Sequence, residues 1–262
     1  MIKKKPLIIL ADTNSEFSIK ICSFLSKQKY FKIEFIIFSK NSNNTDIRKI
    51  LNFFSYKINF IKSKKPHLHK KIDNIIENKK INLCISTSFP YLLSETFLNL
   101  FKMGVINFHP SALPLNRGSH HSFWGILKDT CHGCTMHYMN KKLDSGDIID
   151  QIKYKNKSDI TAKEIYNRSH SLMLTLLKKN ILKIYHNKIK VIKNYKKGSF
   201  HKKNEIEEVI NLNVKDKIKV DYLWKIIRGT YIGKNGFFIN DKRRKYKIVS
   251  KIFEVKKNLK QK

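Results

Sequence analysis

Along the first half of the chain, apolar positions fall in two rhythms that take turns. Residues 7–11 are an unbroken apolar run that Asp12 ends. The run is too short for a signal-peptide core or a membrane span, and it reads as a buried strand. Residues 15–29 then set Phe17, Ile21, Phe24 and Leu25 on one helical stripe. Residues 33–38 are β-branched and aromatic, a second strand, and residues 39–45 are a polar loop. A helix over 46–54, a short strand over 58–61 and a helix over 69–78 with Ile72, Ile75 and Ile76 inward come next. Strands over 83–86 and 104–108 flank a short helix over 94–100. Strands alternating with helices predict an α/β fold built on a mostly parallel, doubly wound sheet with flanking helices.

The second half departs from this alternation. Residues 134–139 read as a strand, and 143–149 as a turn followed by an extended apolar segment. Residues 161–185 form a long amphipathic helix with Ile165, Leu172, Leu176 and Ile184 on one face. Thr161 and Glu164 give it a capping box. Beyond about residue 195 the texture changes to a basic loop or hairpin at 198–203 and a helix at 220–227. A terminal hairpin over 233–239 and 245–249 follows, turning at Asn240-Asp241. The tail 256–262 reads as frayed. This divides the chain into a catalytic domain over 1–195 and a small C-terminal subdomain over 196–262. No internal repeat is visible.

Composition narrows the class. A chain of 262 residues with 41% hydrophobic residues can bury a full core and is not a disordered segment. No stretch is long enough to span a membrane, and the start carries no secretion signal, so the expected location is cytoplasmic. The four cysteines are then not a disulfide framework. Cys131-His132-Gly133-Cys134 lacks the second ligand pair of a zinc site, and it reads as two cysteines bounding a turn before a strand. The formal charge of +34 invites a nucleic-acid reading, but only six of the 54 basic residues are arginine. Lysine rises together with Asn and Ile throughout, as compositional drift would produce. Nucleic acid is therefore not the expected partner, although the charge favours anionic ligands such as a nucleotide diphosphate.

Residues 104–151 hold the densest chemistry. Asn107 and His109 lie two apart on a strand, so they share a face, and they sit at the end where open α/β sheets bind ligands. An amide beside an imidazole suits an oxyanion site with an acid–base group, although an isolated Asn-x-His could equally tie down its loop. The turn after the first strand, residues 11–16, lacks the glycine fingerprint of dinucleotide binding. The tandem pair His120-His121 has no carboxylate or cysteine at metal-ligand spacing, and no metal is expected.

Three segments occur in order: Asn107-Phe108-His109, then Ser111-Ala112-Leu113-Pro114-Leu115-Asn116-Arg117-Gly118, then Leu143-Asp144-Ser145-Gly146-Asp147-Ile148. Together they resemble the folate-dependent formyltransferase family, clearly over residues 83–151. The resemblance implies a Rossmann-like formyltransferase fold and 10-formyltetrahydrofolate as the formyl donor. It implies that Asn107 hydrogen-bonds the formyl oxygen, that His109 stabilises the oxyanion and passes on a proton, and that Asp144 helps to accept the proton of the incoming amine. Phe89, Tyr91, Leu92 and Leu93 match the loop that flanks the pterin, and Asp147 is expected to cap or bind the loop on that side. Pro114, Arg117, Gly118, His120 and His121 are expected on the acceptor side, with Arg117 either gripping phosphate or pinning its loop.

After Arg117-Gly118 this chain reads Ser119-His120-His121-Ser122-Phe123-Trp124, without the proline that methionyl-tRNA formyltransferases carry there. This run and the segment 198–203 look most like nucleotide-sugar N-formyltransferases. The expected acceptor is thus a nucleotide-diphosphate amino sugar, in surface-polysaccharide synthesis, with a homodimer formed through the C-terminal region. The alternative acceptor is methionyl-tRNA, and a basic RNA-binding module without catalysis is a remote one.

Overall fold

A computed structural model describes residues 3–66, 70–155, 159–194, 197–231, 236–242 and 244–252. The chain begins β1 (Lys5–Ala11), α1 (Glu16–Ser26), β2 (Phe31–Ser39), α2 (Asn44–Leu51) and β3 (Asn59–Ser63). It continues with α3 (Lys70–Asn78), β4 (Leu83–Thr87), α4 (Glu95–Asn99) and β5 (Val105–His109). Next come β6 (Arg117–Gly118), α5 (His121–Leu127), β7 (His132–Tyr138), β8 (Ile148–Tyr154) and α6 (Ala162–Tyr185). Seven strands make one sheet in the order β3-β2-β1-β4-β5-β7-β8. The first five are mutually parallel, and β7 and β8 close the far side antiparallel. The mostly parallel α/β sheet read from the sequence is the one that forms.

Alternation along the strands explains why both faces are covered. Leu7, Ile9 and Ala11 pack with Phe17, Ile21 and Leu25 of α1 and Leu176, Leu177 and Ile184 of α6. Ile8 and Leu10 point the other way, against Ile72 and Ile76 of α3 and Phe97 of α4. A strand buried on both faces must be apolar at successive positions, which is why residues 7–11 are an unbroken run. The sequential strands step outward from β1 to β3, and then β4 returns to the other side of β1. At that reversal the loops after β1 and β4 diverge and leave a crevice.

The C-terminal segment contributes β9 (Phe200–His201), α7 (Glu207–Ile210), β10 (Asn211–Asn213), α8 (Val220–Thr230), β11 (Phe237–Asp241) and β12 (Arg244–Ile248). The last three strands form a small sheet in the order β10-β11-β12. Phe237 and Ile226 pack on Phe123, Trp124 and Leu127 of α5, so the segment leans on the helix that follows the proline loop. The two-residue strand β9 pairs with β6 in that loop.

Several boundaries move. Gly104 has φ +80 with the Tyr138 ring against it, so β5 starts at Val105 and runs on to His109. His132 to Cys134 are already part of β7, and the turn lies earlier, where Asp129 has φ 50. The cysteines therefore do not bound a turn, and all four are free thiols. Asn240 and Asp241 are the end of β11, and the turn falls after them, because Asp241 pairs with Arg244. Asn240 Nδ2 donates to Leu212 O, a contact that keeps this turn-forming residue in the strand. His69, the 195/196 boundary, residues 233–235 and the tail 256–262 lie outside the described residues. No helix is long and apolar enough to cross a membrane among the described residues.

Candidate active site

Asn107 and His109 occupy the C-terminal end of β5, while Phe108 turns into the core against Phe17, ring centres 5.4 Å apart. After Pro110 the chain crosses a loop with positive φ at Asn116, Gly118 and His120. Asn116 is buried, and its carbonyl accepts from His109 Nε2–H at 2.9 Å. Its backbone N–H donates to Ser199 Oγ at 2.8 Å, and its Nδ2 donates to Thr130 Oγ1 at 2.8 Å. The loop is thus held from two sides while it orients the His109 imidazole.

Asp144 sits at φ 50 in the turn between β7 and β8 and is buried. Asn194 Nδ2 donates to the carbonyls of Asp144 and Gly146, each at 3.3 Å, and so fixes that turn. The carboxylate accepts the Gly118 N–H at Oδ2, 3.0 Å away, and the same oxygen lies 3.4 Å from His109 Nδ1. His137 Nε2 stands 3.7 Å from Oδ1.

His137 is a site residue that the sequence reading did not single out. It lies directly across the antiparallel ladder from Asn107. Its Nδ1–H donates to Tyr138 O at 2.8 Å, and burial pushes its pKa down against the opposing pull of Asp144. The imidazole is then neutral with Nε2 bare, so it accepts from Asn107 Nδ2 at 3.4 Å. That bond fixes the amide and leaves its second N–H for a ligand. The available signal was a histidine two residues from Thr135 in a strand that must pair beside β5.

The crevice opens into a cavity of about 570 Å³. Asn107, His109 and Asp144 line it with Gly118 and His121. Phe89, Tyr91, Leu92 and Leu93 line it too, as do Asp12 and Asn14 from the loop after β1. The ring of His121 lies 5.9 Å from that of His109 and 6.5 Å from that of His170. Burial, then the neighbouring imidazoles, hold the His121 pKa well below its ordinary value, and burial also lowers that of His170. Tyr166 and His170, both on α6, are further lining residues that the sequence reading passed over.

The remaining expected residues stand apart from this cavity. Asp147 pairs with Lys193 Nζ at 2.7 Å. Pro114 follows a cis peptide and packs against Gly198. Arg117 uses its backbone in β6, where its N–H donates to Ser199 O at 3.0 Å, and its Nε is buried without a partner among the described residues. His120 precedes α5 and donates from Nε2 to Lys203 O at 3.1 Å. No group of three or more His, Cys, Asp or Glu could hold a metal ion among the described residues.

Chemically, an amide N–H, an imidazole and a buried carboxylate line one cavity. Donors there can stabilise a developing oxyanion, and the carboxylate can take up a proton, which is the equipment of acyl transfer.

Known proteins resemble this chain to different extents. The methionyl-tRNA formyltransferase of Borrelia turicatae is 27% identical over 168 residues, 62% of this chain and 54% of that protein. The chain spans about half or less of the length of the curated relatives it matches. The 4-N formyltransferase from Francisella tularensis superposes with a TM-score of 0.79 at 20% identity, over 96% of this chain and 99% of that one. The N-formyltransferase from Helicobacter canadensis, solved with folinic acid and dTDP-3-aminofucose, gives 0.68 at 21%, over 94% and 87%. At these identities the superpositions establish the fold. The family model for formyl transferase matches residues 5–181, well over half of the sequence, and the chain belongs to that family.

Proposed function

We propose that this chain transfers the formyl group of 10-formyltetrahydrofolate to the amine of a nucleotide-linked amino sugar. The observation that carries the transfer is that Asn107, His109 and Asp144 line one cavity, with His109 Nδ1 3.4 Å from Asp144 Oδ2. The loop at 89–93 fits a fused heteroaromatic ring. Phe89 and Tyr91 meet edge to face at 5.4 Å, and Leu92 stays 71% exposed at the cavity wall. The Tyr91 hydroxyl, buried without a partner among the described residues, is a polar group for such a ring to satisfy. When bound, the folate supplies an activated formyl carbon.

The chain's own residues then divide the work. Asn107 donates its free N–H toward the formyl oxygen, while His109, its Nε2–H held by Asn116 O, faces Asp144 with Nδ1 and can hand on a proton. Asp144 takes up the proton that the amine gives up, directly or through water, and by way of His109 a proton reaches the folate nitrogen as its bond to the formyl carbon breaks. His121 and His170, kept neutral by burial, leave the amine's surroundings without added positive charge.

For the acceptor, the supporting observation is the length of the superposition. The Francisella enzyme overlays 96% of this chain, including the C-terminal segment, and the Helicobacter enzyme was solved with a nucleotide-linked amino sugar. This reading carries a cytoplasmic location and a role in surface-polysaccharide synthesis. Methionyl-tRNA is the second reading, favoured by the curated sequence relatives and by the charge of +34.

A donor-turnover assay decides between them. Purified chain and 10-formyltetrahydrofolate are incubated with several nucleotide-linked amino sugars and, separately, with methionyl-tRNA. Turnover with one sugar and none with tRNA is the expected result; turnover with tRNA alone reverses the acceptor assignment. Asn107→Ala, His109→Ala and Asp144→Ala should each lower kcat by about 10²-fold or more. Near-normal rates in any two would remove the catalytic assignment.

A further inference from the structure

Among the described residues, four imidazoles line the catalytic cavity, and their hydrogen bonds make them unequal. His109 keeps its Nε2–H on the Asn116 carbonyl and turns Nδ1 to Asp144. His137 gives its bare Nε2 to Asn107. His121 sets Nδ1 against the Ser122 hydroxyl, which can donate or accept, so neither of its nitrogens is fixed as the bare one. His170 differs from all three. Its Nδ1 lies 2.8 Å from the carbonyl oxygen of Tyr166, and a carbonyl only accepts, so Nδ1 carries the hydrogen. Burial lowers its pKa against the pull of that carbonyl, and the ring is neutral. Nε2 is therefore a bare lone pair, and it takes part in no hydrogen bond among the described residues.

The ring is also held in place. Its centre lies 3.8 Å from that of Tyr166 and 6.4 Å, edge to face, from that of Phe17, which packs in turn on Phe108. Helix α6 thus brings a fixed hydrogen-bond acceptor into the cavity that holds Asn107, His109 and Asp144. What this cavity has to orient is an amine. The lone pair of the amine must meet the formyl carbon for the new C–N bond to form, so both hydrogens of a neutral primary amine must point elsewhere. Asp144 accepts one of them and takes that proton. The second hydrogen needs an acceptor of its own, because an N–H buried without one disfavours the productive pose.

We propose that His170 Nε2 accepts this second N–H, which aims the lone pair at the formyl carbon and makes the site selective for a primary amine. A hydroxyl has a single hydrogen, which Asp144 takes, and it leaves His170 unsatisfied; a site built around such a bond rejects the group that cannot make it. The proposal rests on the formyl transfer to an amine given above. It holds for either acceptor, because a sugar amine and the amine of methionyl-tRNA are both primary.

Steady-state kinetics of the full chain test it, with dTDP-linked and UDP-linked amino sugars and methionyl-tRNA supplied separately as acceptors. His170→Phe keeps a flat ring against Tyr166 and Phe17 but removes the acceptor atom. His170→Gln sets an amide oxygen near the position of Nε2. With the acceptor that the wild-type chain turns over, His170→Phe should lower kcat/KM by about 10²-fold. His170→Gln should recover about tenfold of that loss. The donor KM should stay unchanged in both, which a merely structural histidine would not guarantee. If His170→Phe distorts the fold, His170→Ala gives the same comparison with His170→Gln. Normal kcat/KM in His170→Phe, or equal impairment of the Phe and Gln variants, overturns the assignment and leaves the transfer reading standing. A wild-type chain that consumes the donor with none of these amines overturns both.

Discussion

Asn107 owes its orientation to His137, a residue thirty positions away in the chain and directly across the ladder. The neutral imidazole accepts one amide N–H and so aims the other into the cavity. His137→Ala should therefore act on the chemical step, lowering kcat by up to about 10²-fold through misplacement while changing KM for the donor little. His137→Gln, which can again offer an acceptor, should recover part of that loss; a purely structural histidine would show neither the split nor the recovery. The residue scale is also where the sequence was most and least legible. Asn107 and His109 were legible because alternation puts them on one face of a single strand. His137 was not, because only the register of β7 brings it to Asn107. Asp144 and Asp147 are three apart in one turn, and nothing local separates them; Lys193 draws Asp147 away while the Gly118 N–H holds Asp144 in place.

The elements around the loop at 110–120 explain why that loop can be precise without being regular. β6 and β9 are two residues each, yet they clip the loop to the C-terminal segment. At Gly118 the chain has φ +86, its N–H serves Asp144, and a Cβ would press on the carbonyl of His201. Gly118→Ala should cost about 1–3 kcal/mol of stability from overpacking, and turnover should fall more than stability implies, because the donor to Asp144 shifts with the backbone. Urea unfolding and kcat measured on the same preparation separate the two effects; a stable variant with normal kcat would contradict the role given to the clip. Such elements are poorly legible beforehand. Two-residue strands have no periodicity to detect, and β10, which reads Asn-Leu-Asn, carries no strand pattern of its own. The long elements were legible because their apolar spacing is set by two buried sheet faces. α6 carries its start signal in full, with Thr161 and Glu164 bonded reciprocally.

At the scale of the whole molecule, buried histidines set the response to acid. Burial pushes the His132 imidazole down from 6.5 to about 4. Between those values the unfolded chain binds a proton that the folded chain does not. Stability is therefore complete above pH 6.5 and is lost as pH falls toward 4. For His132 alone the loss from pH 8 to pH 5 is about 2 kcal/mol. Burial lowers His121, His137 and His170 in the same direction, which steepens the decline. Urea midpoints at pH 8, 6.5 and 5 should fall in that order, and a midpoint that held steady or rose on acidification would contradict this account. The charge of +34 did not by itself point to nucleic acid, since lysines spread along a chain do not say which of them meet in space. The clip between β6 and β9 bears on how such proteins can be recombined. The family match ends at residue 181, but Ser199 and His201 support the loop that carries Gly118 and Asn116. A chimera spliced just after α6 would inherit Asn107, His109 and Asp144 and lack the strand that supports the loop beside them, so the segment after α6 travels with its own N-terminal half or must be replaced by one bearing an equivalent strand.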